Sequence, residues 1–264
     1  NHEGEVRKGK GERKVVFVTS TDNGKTWGAS VDISEETHRH GKAEDWRSYA
    51  NTPGHALQLE RGKYKGRIYV AANHSEGAPK SRFEDYRAHG FYSDDHGKTF
   101  SLSESVDFPG GNESTAAELS DSRLIMNSRN QRGDKKMRIV SVSEDGGNRW
   151  VASFFDSTLI DPVCQGSILN VGWKDNRAVL AFSNAATPNR RDSLMVRVSL
   201  DEGVNWKYSL LIDHDPDKKK DHTAYSDLVL VNKKTLGVLY ERNGYKEILF
   251  QTIQLKKDFQ PWKK

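Results

Sequence analysis

One short pattern occurs four times along this 264-residue chain and constrains its fold more than any other feature. The pattern is Ser-x-Asp-x-Gly-x-x-Trp/Phe, and its copies begin at Ser20, Ser93, Ser143 and Ser199. In each copy the Asp side chain can accept backbone N–H hydrogen bonds across a turn, and Gly can supply a positive φ. The aromatic residue then anchors the following strand in the core. We predict four structural hairpin turns, called Asp turns below, because each copy offers too few carboxylates for a calcium site.

Short strands surround the Asp turns. The predicted strands cover residues 15–19, 67–72, 138–142, 193–198, 228–231, 235–240 and 247–253. The Asp turns start 73, 50 and 56 residues apart, which suits one four-stranded sheet for each turn. Many short strands with a repeated aromatic turn predict an all-β propeller. Since no Pro-rich or Ser-rich linker divides the chain, we expect a single domain over residues 1–264.

The composition argues against several classes of protein. The formal net charge of +4, from 41 basic and 37 acidic residues, does not indicate a nucleic-acid partner. No stretch approaches the roughly 18 apolar residues of a membrane span, and no signal peptide is recognised in this chain. Because Cys164 is the single cysteine, an internal disulfide and a cysteine-based zinc site are excluded. We expect neither a metal nor a cofactor, and we expect Cys164 to be a small buried residue.

The Asp turns, together with several blocks between them, resemble the sialidases (neuraminidases), six-bladed propellers that cleave terminal sialic acids. The central block reads Gly-Gly-Asn-Glu-Ser at its start and Asn-Ser-Arg at its end, and a later block reads Thr-Ala-Tyr-Ser-Asp-Leu. The matching blocks are residues 49–59, 110–129, 161–167, 182–191, 223–228 and 239–241. The resemblance runs from about residue 15 to the C-terminus and implies a six-bladed β-propeller.

The resemblance implies a set of site residues, and the chemistry of the substrate explains them. Sialic acid carries a carboxylate on its anomeric carbon, so its site needs fixed positive charge, for which the arginine fork is well suited. The motifs place Arg129 and Arg191 in that role. A carboxylate nucleophile would be repelled by the substrate, and sialidases use a tyrosine instead. The motifs imply Tyr225 as the nucleophile and Glu113 as its general base.

Other site residues follow from the same blocks. The resemblance implies that Glu241 orients the first arginine of the family's triad. Asn51 and Gln165 are candidate substrate-binding residues, and the pair Asn73 and His74 is a weaker candidate for lining the site.

Two parts of the family pattern do not occur in the sequence. The family's N-terminal Arg-Ile-Pro motif is absent, and residues 1–19 contain no Asp to serve as the general acid. We therefore expect a first blade that is incomplete at the N-terminus, with the missing strands upstream. The alternative is a protein that departs from the family's chemistry.

The expected function is that of a glycoside hydrolase, an exo-α-sialidase that releases terminal α-linked sialic acids with retention through a tyrosyl-enzyme intermediate. Its partners would be sialylated glycans, glycoproteins or glycolipids, in a secreted or periplasmic location. Two alternatives use the same site: an intramolecular or intermolecular trans-sialidase, and a propeller that binds sialic acid without catalysis.

Overall fold

Five antiparallel sheets make up the fold in a computed structural model, which describes residues 2–217 and 219–259. Sheet one pairs strands β1 (Val16–Phe17) and β2 (Val31–Asp32). Two single-turn helices flank it, α1 (Glu3–Val6) and α2 (Ser34–Thr37). No helix in this described part of the chain is both long enough and apolar enough to cross a membrane.

The first strand of sheet two is divided into two separate pieces. Its strands are β3 (Trp46–Asn51), β4 (Leu57–Gln58), β5 (Ile68–Glu76), β6 (Tyr86–Ser93) and β7 (Ser101–Leu102). The order is β3-β5-β6-β7, and β4 also pairs with β5. Since β3 ends opposite Ala72 and β4 begins opposite Tyr69, the two pieces run along the same edge of β5. Residues 52–56 leave the sheet between them.

The next three sheets follow in chain order. Sheet three contains β8 (Gly111–Glu118), β9 (Leu124–Asn130), β10 (Met137–Ser143) and β11 (Ala152–Ile160). Sheet four contains β12 (Gly166–Lys174), β13 (Arg177–Ala185), β14 (Leu194–Ser199) and β15 (Tyr208–Asp213). Sheet five contains β16 (Thr223–Asn232), β17 (Thr235–Arg242) and β18 (Glu247–Gln254), and is followed by the helical turn α3 (Leu255–Asp258). Two 3-10 turns lie at Ser81–Phe83 and Ser120–Ser122.

Buried apolar side chains fill the spaces between successive sheets. Among the described residues, a cluster lies between sheets one and two, two and three, three and four, and four and five. In that order, the clusters include Phe91, Met126, Ile168 and Val196. The first strands of sheets three, four and five, β8, β12 and β16, also contact one another in this order. This stacking of separate antiparallel sheets around their first strands is an all-β propeller. The described residues supply four sheets of three or more strands, besides the two-stranded sheet one.

The predicted strands are confirmed, with bounds that differ by a few residues. The largest difference is in sheet five, where the predicted strand at residues 228–231 is the second half of β16. The buried position expected for Cys164 is also confirmed, since its side chain is 0% exposed.

The Asp turns are structural, as predicted, and share one set of hydrogen bonds. In the third turn, Ser143 Oγ donates to Asp145 Oδ1 at 2.9 Å and accepts from Gly147 N at 2.9 Å. The N–H groups of Asn148 and Arg149 donate to the same Asp145 oxygen at 3.0 and 2.8 Å. Burial raises the pKa of Asp145, but these hydrogen bonds outweigh it and hold the pKa below its usual range. The Ser–Asp and Ser–Gly bonds recur in the other three turns.

Three histidines are buried between sheets one and two. The His74 ring stacks on Trp46 with centroids 3.5 Å apart, and His38 stacks on Tyr49 at 4.5 Å. His74 Nδ1 lies 3.0 Å from His89 Nδ1. This packing places His74 in an aromatic core rather than in a cavity. Its neighbour Asn73 is also buried in sheet two, and its role in lining the site stays a prediction.

Asp145→Ala should lower the free energy of unfolding by about 2 kcal/mol, because three hydrogen bonds to one carboxylate are lost together. Urea denaturation at pH 7 measures the change. Glu144→Ala is the matched control, because Glu144 is the exposed neighbouring acid and should change the free energy by less than about 0.5 kcal/mol. Equal effects of the two variants would contradict a structural role for the turn.

Acid should destabilise the fold through the buried histidines. Burial, then the charges of His40 and Lys42, lowers the pKa of His38 to about 4 from 6.5. Burial likewise lowers the pKa values of His74 and His89 well below 6.5. The unfolded chain therefore binds more protons below pH 6.5, so the stability present above that pH is lost as the pH falls towards 4.

The expected loss from His38 alone is about 2 kcal/mol between pH 7.5 and pH 5. The charged groups that face this cluster are Arg39, His40, Lys42, Arg87 and Glu76. Urea denaturation at both pH values should show a smaller pH dependence for His38→Asn than for the unsubstituted protein. The exposed His214 supplies the control His214→Asn, and an equal reduction in that control would refute the explanation.

Candidate active site

A tyrosine, a glutamate and an arginine from two different sheets meet where the first strands converge. Tyr225 lies near the start of β16, Glu113 lies in β8, and Arg129 lies near the end of β9. The Tyr225 hydroxyl donates a short hydrogen bond to Glu113 Oε1. Arg129 Nη1 donates to Glu113 Oε2 at 2.8 Å and to the Tyr225 hydroxyl oxygen at 3.2 Å. The three side chains therefore form a closed set of hydrogen bonds.

The environment of Tyr225 keeps its phenol protonated. Burial is the largest cause, and the negative charge and hydrogen bond of Glu113 act in the same direction. Together they raise the pKa of Tyr225 well above its usual 10, while Arg129 opposes them. The resting site thus holds a neutral phenol whose proton already points at a carboxylate, which is the arrangement that general-base activation of a nucleophile needs.

Arg191 approaches the same tyrosine from the connection between β13 and β14. Its guanidinium carbon lies 5.5 Å from the centre of the Tyr225 ring. Its Nη2 donates to the carbonyl oxygen of Val163 at 3.3 Å, and its backbone N–H donates to Asp221 Oδ1 at 2.8 Å. The four side chains singled out most strongly by the sequence, at positions 113, 129, 191 and 225, are therefore brought together.

Glu241 and Gln165 support the strand that carries the tyrosine. Glu241 Oε2 accepts a hydrogen bond from the backbone N–H of Tyr225 at 3.1 Å. Gln165 Oε1 accepts from the N–H of Ser226 at 3.0 Å, and its amide nitrogen donates to the carbonyl oxygen of Pro53 at 3.3 Å. Glu241, Gln165 and Tyr225 line one cavity of about 140 Å³. The Gln165 side chain is buried, so its polar atoms here serve the backbone.

In the described part of the chain, Asn51 makes no contact with the three central side chains through hydrogen bonds. It is the last residue of β3 and is exposed. Within residues 2–217 and 219–259, no side-chain hydrogen bond joins Asn51 to Tyr225, Glu113 or Arg129. Its role in binding stays a prediction.

Two residues that the sequence reasoning missed hold Arg191 in place. Arg191 Nη1 donates to the Tyr245 hydroxyl oxygen at 3.3 Å, and the Tyr245 hydroxyl lies 3.4 Å from Asp221 Oδ2. Tyr245 follows Asn243 and Gly244, and all three have positive φ, with 68° at Tyr245. Such a conformation is costly for an aromatic residue and clusters at functional sites. The Asn-Gly pair was the available signal, since it marks a turn that carries the next side chain outwards.

Two arginine groups of the site have unused bonding capacity. Arg129 is paired with Glu113, whereas the Arg191 guanidinium makes no ion pair with a carboxylate among the described residues. Arg129 Nε is buried and, within the described residues, has no hydrogen-bond partner. A buried N–H without a partner is costly. The arrangement can thus bind an anion beside a phenol that is ready to lose its proton.

Comparison with known proteins gives a family for this chain. A family model described as a BNR repeat-like domain matches residues 3–238. A sialidase of Micromonospora viridifaciens is 33% identical over 85% of this chain, which spans 33% of that protein. The solved structure of a Hadza microbial sialidase, Hz136, has a TM-score of 0.76 at 27% identity and covers 92% of this chain and 44% of its own.

A more distant solved structure supports the fold. The leech intramolecular trans-sialidase in complex with 2,7-anhydro-Neu5Ac has a TM-score of 0.75 at 20% identity, covering 94% of this chain and 37% of its own. The chain spans 33% of the length of the Micromonospora viridifaciens sialidase and 42% of the length of a sialidase from Bacteroides fragilis.

Glu113→Gln should lower the pKa of Tyr225, because it removes the negative charge that disfavours the phenolate. Carbon-13 NMR of tyrosine labelled at Cζ follows the ionisation between pH 8 and pH 12, and Tyr225→Phe identifies the resonance. The matched control is Glu144→Gln, an exposed acid in the third Asp turn. A Tyr225 titration that is unchanged in Glu113→Gln would contradict the closed set of hydrogen bonds described above.

Proposed function

We propose, from the premise that this chain belongs to the BNR-repeat family of sialidases, that the protein hydrolyses terminal α-linked sialic acids. Its reaction would retain the anomeric configuration and pass through a tyrosyl-enzyme intermediate. The substrates would be sialylated glycans, glycoproteins or glycolipids. The proposal includes a secreted or periplasmic location.

The observation that carries the proposal is the bond between the Tyr225 hydroxyl and the Glu113 carboxylate. A carboxylate attacking the anomeric carbon of sialic acid would approach the negative charge of the substrate carboxylate. A neutral phenol meets no such repulsion. As the Tyr225 oxygen bonds to the anomeric carbon, its proton passes to Glu113, so the carboxylate becomes a neutral acid and no free phenolate has to form before the attack.

The two arginines have different tasks in this mechanism. Arg191, with its charge unused by any carboxylate of the site, would bind the substrate carboxylate. Arg129 touches both Glu113 and the Tyr225 oxygen. It would therefore stabilise the negative charge that develops on the phenol oxygen during attack.

The departing sugar oxygen takes a proton from an acid that the family resemblance places before the first Asp turn, which completes the first displacement. In the second displacement, water gives a proton to the conjugate base of that acid and attacks the anomeric carbon from the face that the leaving group has vacated, and the bond to the Tyr225 oxygen breaks. The phenolate recovers its proton from Glu113. Two displacements restore the original configuration.

A six-bladed ring is also part of the proposal. Sheets one and five both carry exposed apolar side chains, which the neighbouring blades of a closed ring would cover. On sheet five these are Val229, Leu239, Ile248 and Phe250, and on sheet one they are Val16 and Val31.

Tyr225→Phe should reduce kcat for a fluorogenic sialoside by at least 10³-fold, because it removes the nucleophilic oxygen and leaves the ring in place. The full-length protein is assayed, and NMR of the first product formed should show the α-anomer of free sialic acid. Tyr208→Phe is the matched control, because Tyr208 lies in β15 of sheet four and not at the site. Turnover by Tyr225→Phe at the unsubstituted rate would reject the mechanism, and a β-anomer or an anhydro sugar as first product would reject retaining hydrolysis.

A further inference from the structure

Between β3 and β4, residues 52–55 leave sheet two and contact sheets three, four and five. We call these residues the hub segment. Gly54 has φ +118°, and a Cβ on it would lie 3.2 Å from Asp227 Oδ1 and 3.4 Å from Thr115 Cγ2. The chain can pass this close to sheets three and five because Gly54 has no side chain.

The first half of the hub segment is bonded to sheets three and four. The Thr52 hydroxyl donates a short hydrogen bond to the carbonyl oxygen of Ser114 in β8. The carbonyl oxygen of Pro53 accepts from Gln165 Nε2 at 3.3 Å, immediately before β12 begins. Two consecutive residues are thereby joined to two different sheets.

His55 completes the set by bonding to sheet five. Its Nδ1 lies 2.7 Å from Asp227 Oδ1 in β16, and the carboxylate can only accept, so Nδ1–H is the donor. Ser167 Oγ of β12 donates to the same oxygen at 2.8 Å and accepts from Leu228 N at 3.2 Å. Asp227 therefore fixes the hub segment, sheet four and sheet five at one point.

Each residue that is bonded to the hub segment lies close in sequence to Glu113 or Tyr225, or is bonded to the strand that carries Tyr225. Ser114 directly follows Glu113. Gln165 holds the N–H of the residue after Tyr225. Asp227 lies two residues beyond Tyr225 in the same strand and lines the same cavity. The general base and the nucleophile come from separate sheets that share no ladder hydrogen bonds, and the hub segment is bonded to both.

We propose that the hub segment, through the bond between His55 and Asp227, is a positioning device that sets the distance between the Tyr225 hydroxyl and the Glu113 carboxylate. The expected effect on kcat rests on the proposed function. The expected effect on the position of the Tyr225 hydroxyl does not depend on any substrate.

The cost of this arrangement supports a functional role for His55. Its other ring nitrogen, Nε2, is buried and has no hydrogen-bond partner within the described residues. An apolar residue would fill the same volume without leaving a buried polar atom unpaired. The bond from Nδ1 to Asp227 is what a histidine adds at this position.

The test compares His55→Ala with His55→Asn, whose amide N–H can replace Nδ1–H. With a fluorogenic sialoside, His55→Ala in the full-length protein should lower kcat by 10-fold to 100-fold with KM changed less than threefold, because small displacements of reacting groups are costly. His55→Asn should recover most of kcat. The double variant His55→Ala/Asp227→Asn should be no slower than the slower of its two single variants, since both remove one interaction.

A readout without turnover separates this inference from the proposed function. The Tyr225 Cζ resonance should move in His55→Ala, return towards its original position in His55→Asn, and stay unchanged in Val179→Ala, a buried change in sheet four that lowers stability away from the hub. If the unsubstituted protein releases no sialic acid, the proposed function fails and the resonance still decides the positioning role. An unmoved resonance in His55→Ala, or an equal movement in Val179→Ala, would overturn the inference.

Discussion

Within the described residues the sheets of this propeller share no ladder hydrogen bonds, so side-chain packing and separate hydrogen bonds fix their relative positions. Apolar clusters hold neighbouring sheets together, and directional polar contacts help to align them. Near the centre, polar contacts do this: Thr115 Oγ1 donates to the carbonyl oxygen of Gly166, and Ser183 and Ser226 bond through their hydroxyls at 2.8 Å. The site is built on these contacts, because its phenol and its carboxylate belong to different sheets.

The charge arrangement of the site follows from the same constraint. A carboxylate and a guanidinium from one sheet are bonded to a phenol from another, and these three groups are neutral as a unit. Burial strengthens the interactions of these groups with each other and keeps the phenol protonated. Arg191 stands beside them without an ion pair among the described residues, and the hydroxyl proton of Tyr225 has an acceptor already in contact with it.

Much of the fold could be predicted from the sequence because the Asp turns and the alternating outer strands are local signals. The strand β8, with the sequence Gly-Asn-Glu-Ser-Thr-Ala-Ala-Glu, was not predicted as a strand, since its polar residues face other strands at the centre and no alternation results. The four main site residues were found through motifs. The contacts of Tyr245 and His55 were not, because Tyr245 reaches Arg191 and His55 reaches Asp227 across 54 and 172 residues of chain, and only the tertiary structure shows them to be neighbours.

The divided first strand of sheet two has an evolutionary consequence. Because β3 and β4 pair independently with opposite ends of β5, residues could be inserted or deleted between them without moving either half out of register. Selection can therefore lengthen or shorten the loop at the centre of the ring while the surrounding scaffold stays intact. A change of length in this loop would therefore leave the strands of sheet two in register and alter chiefly the bonds that the loop makes to the other sheets.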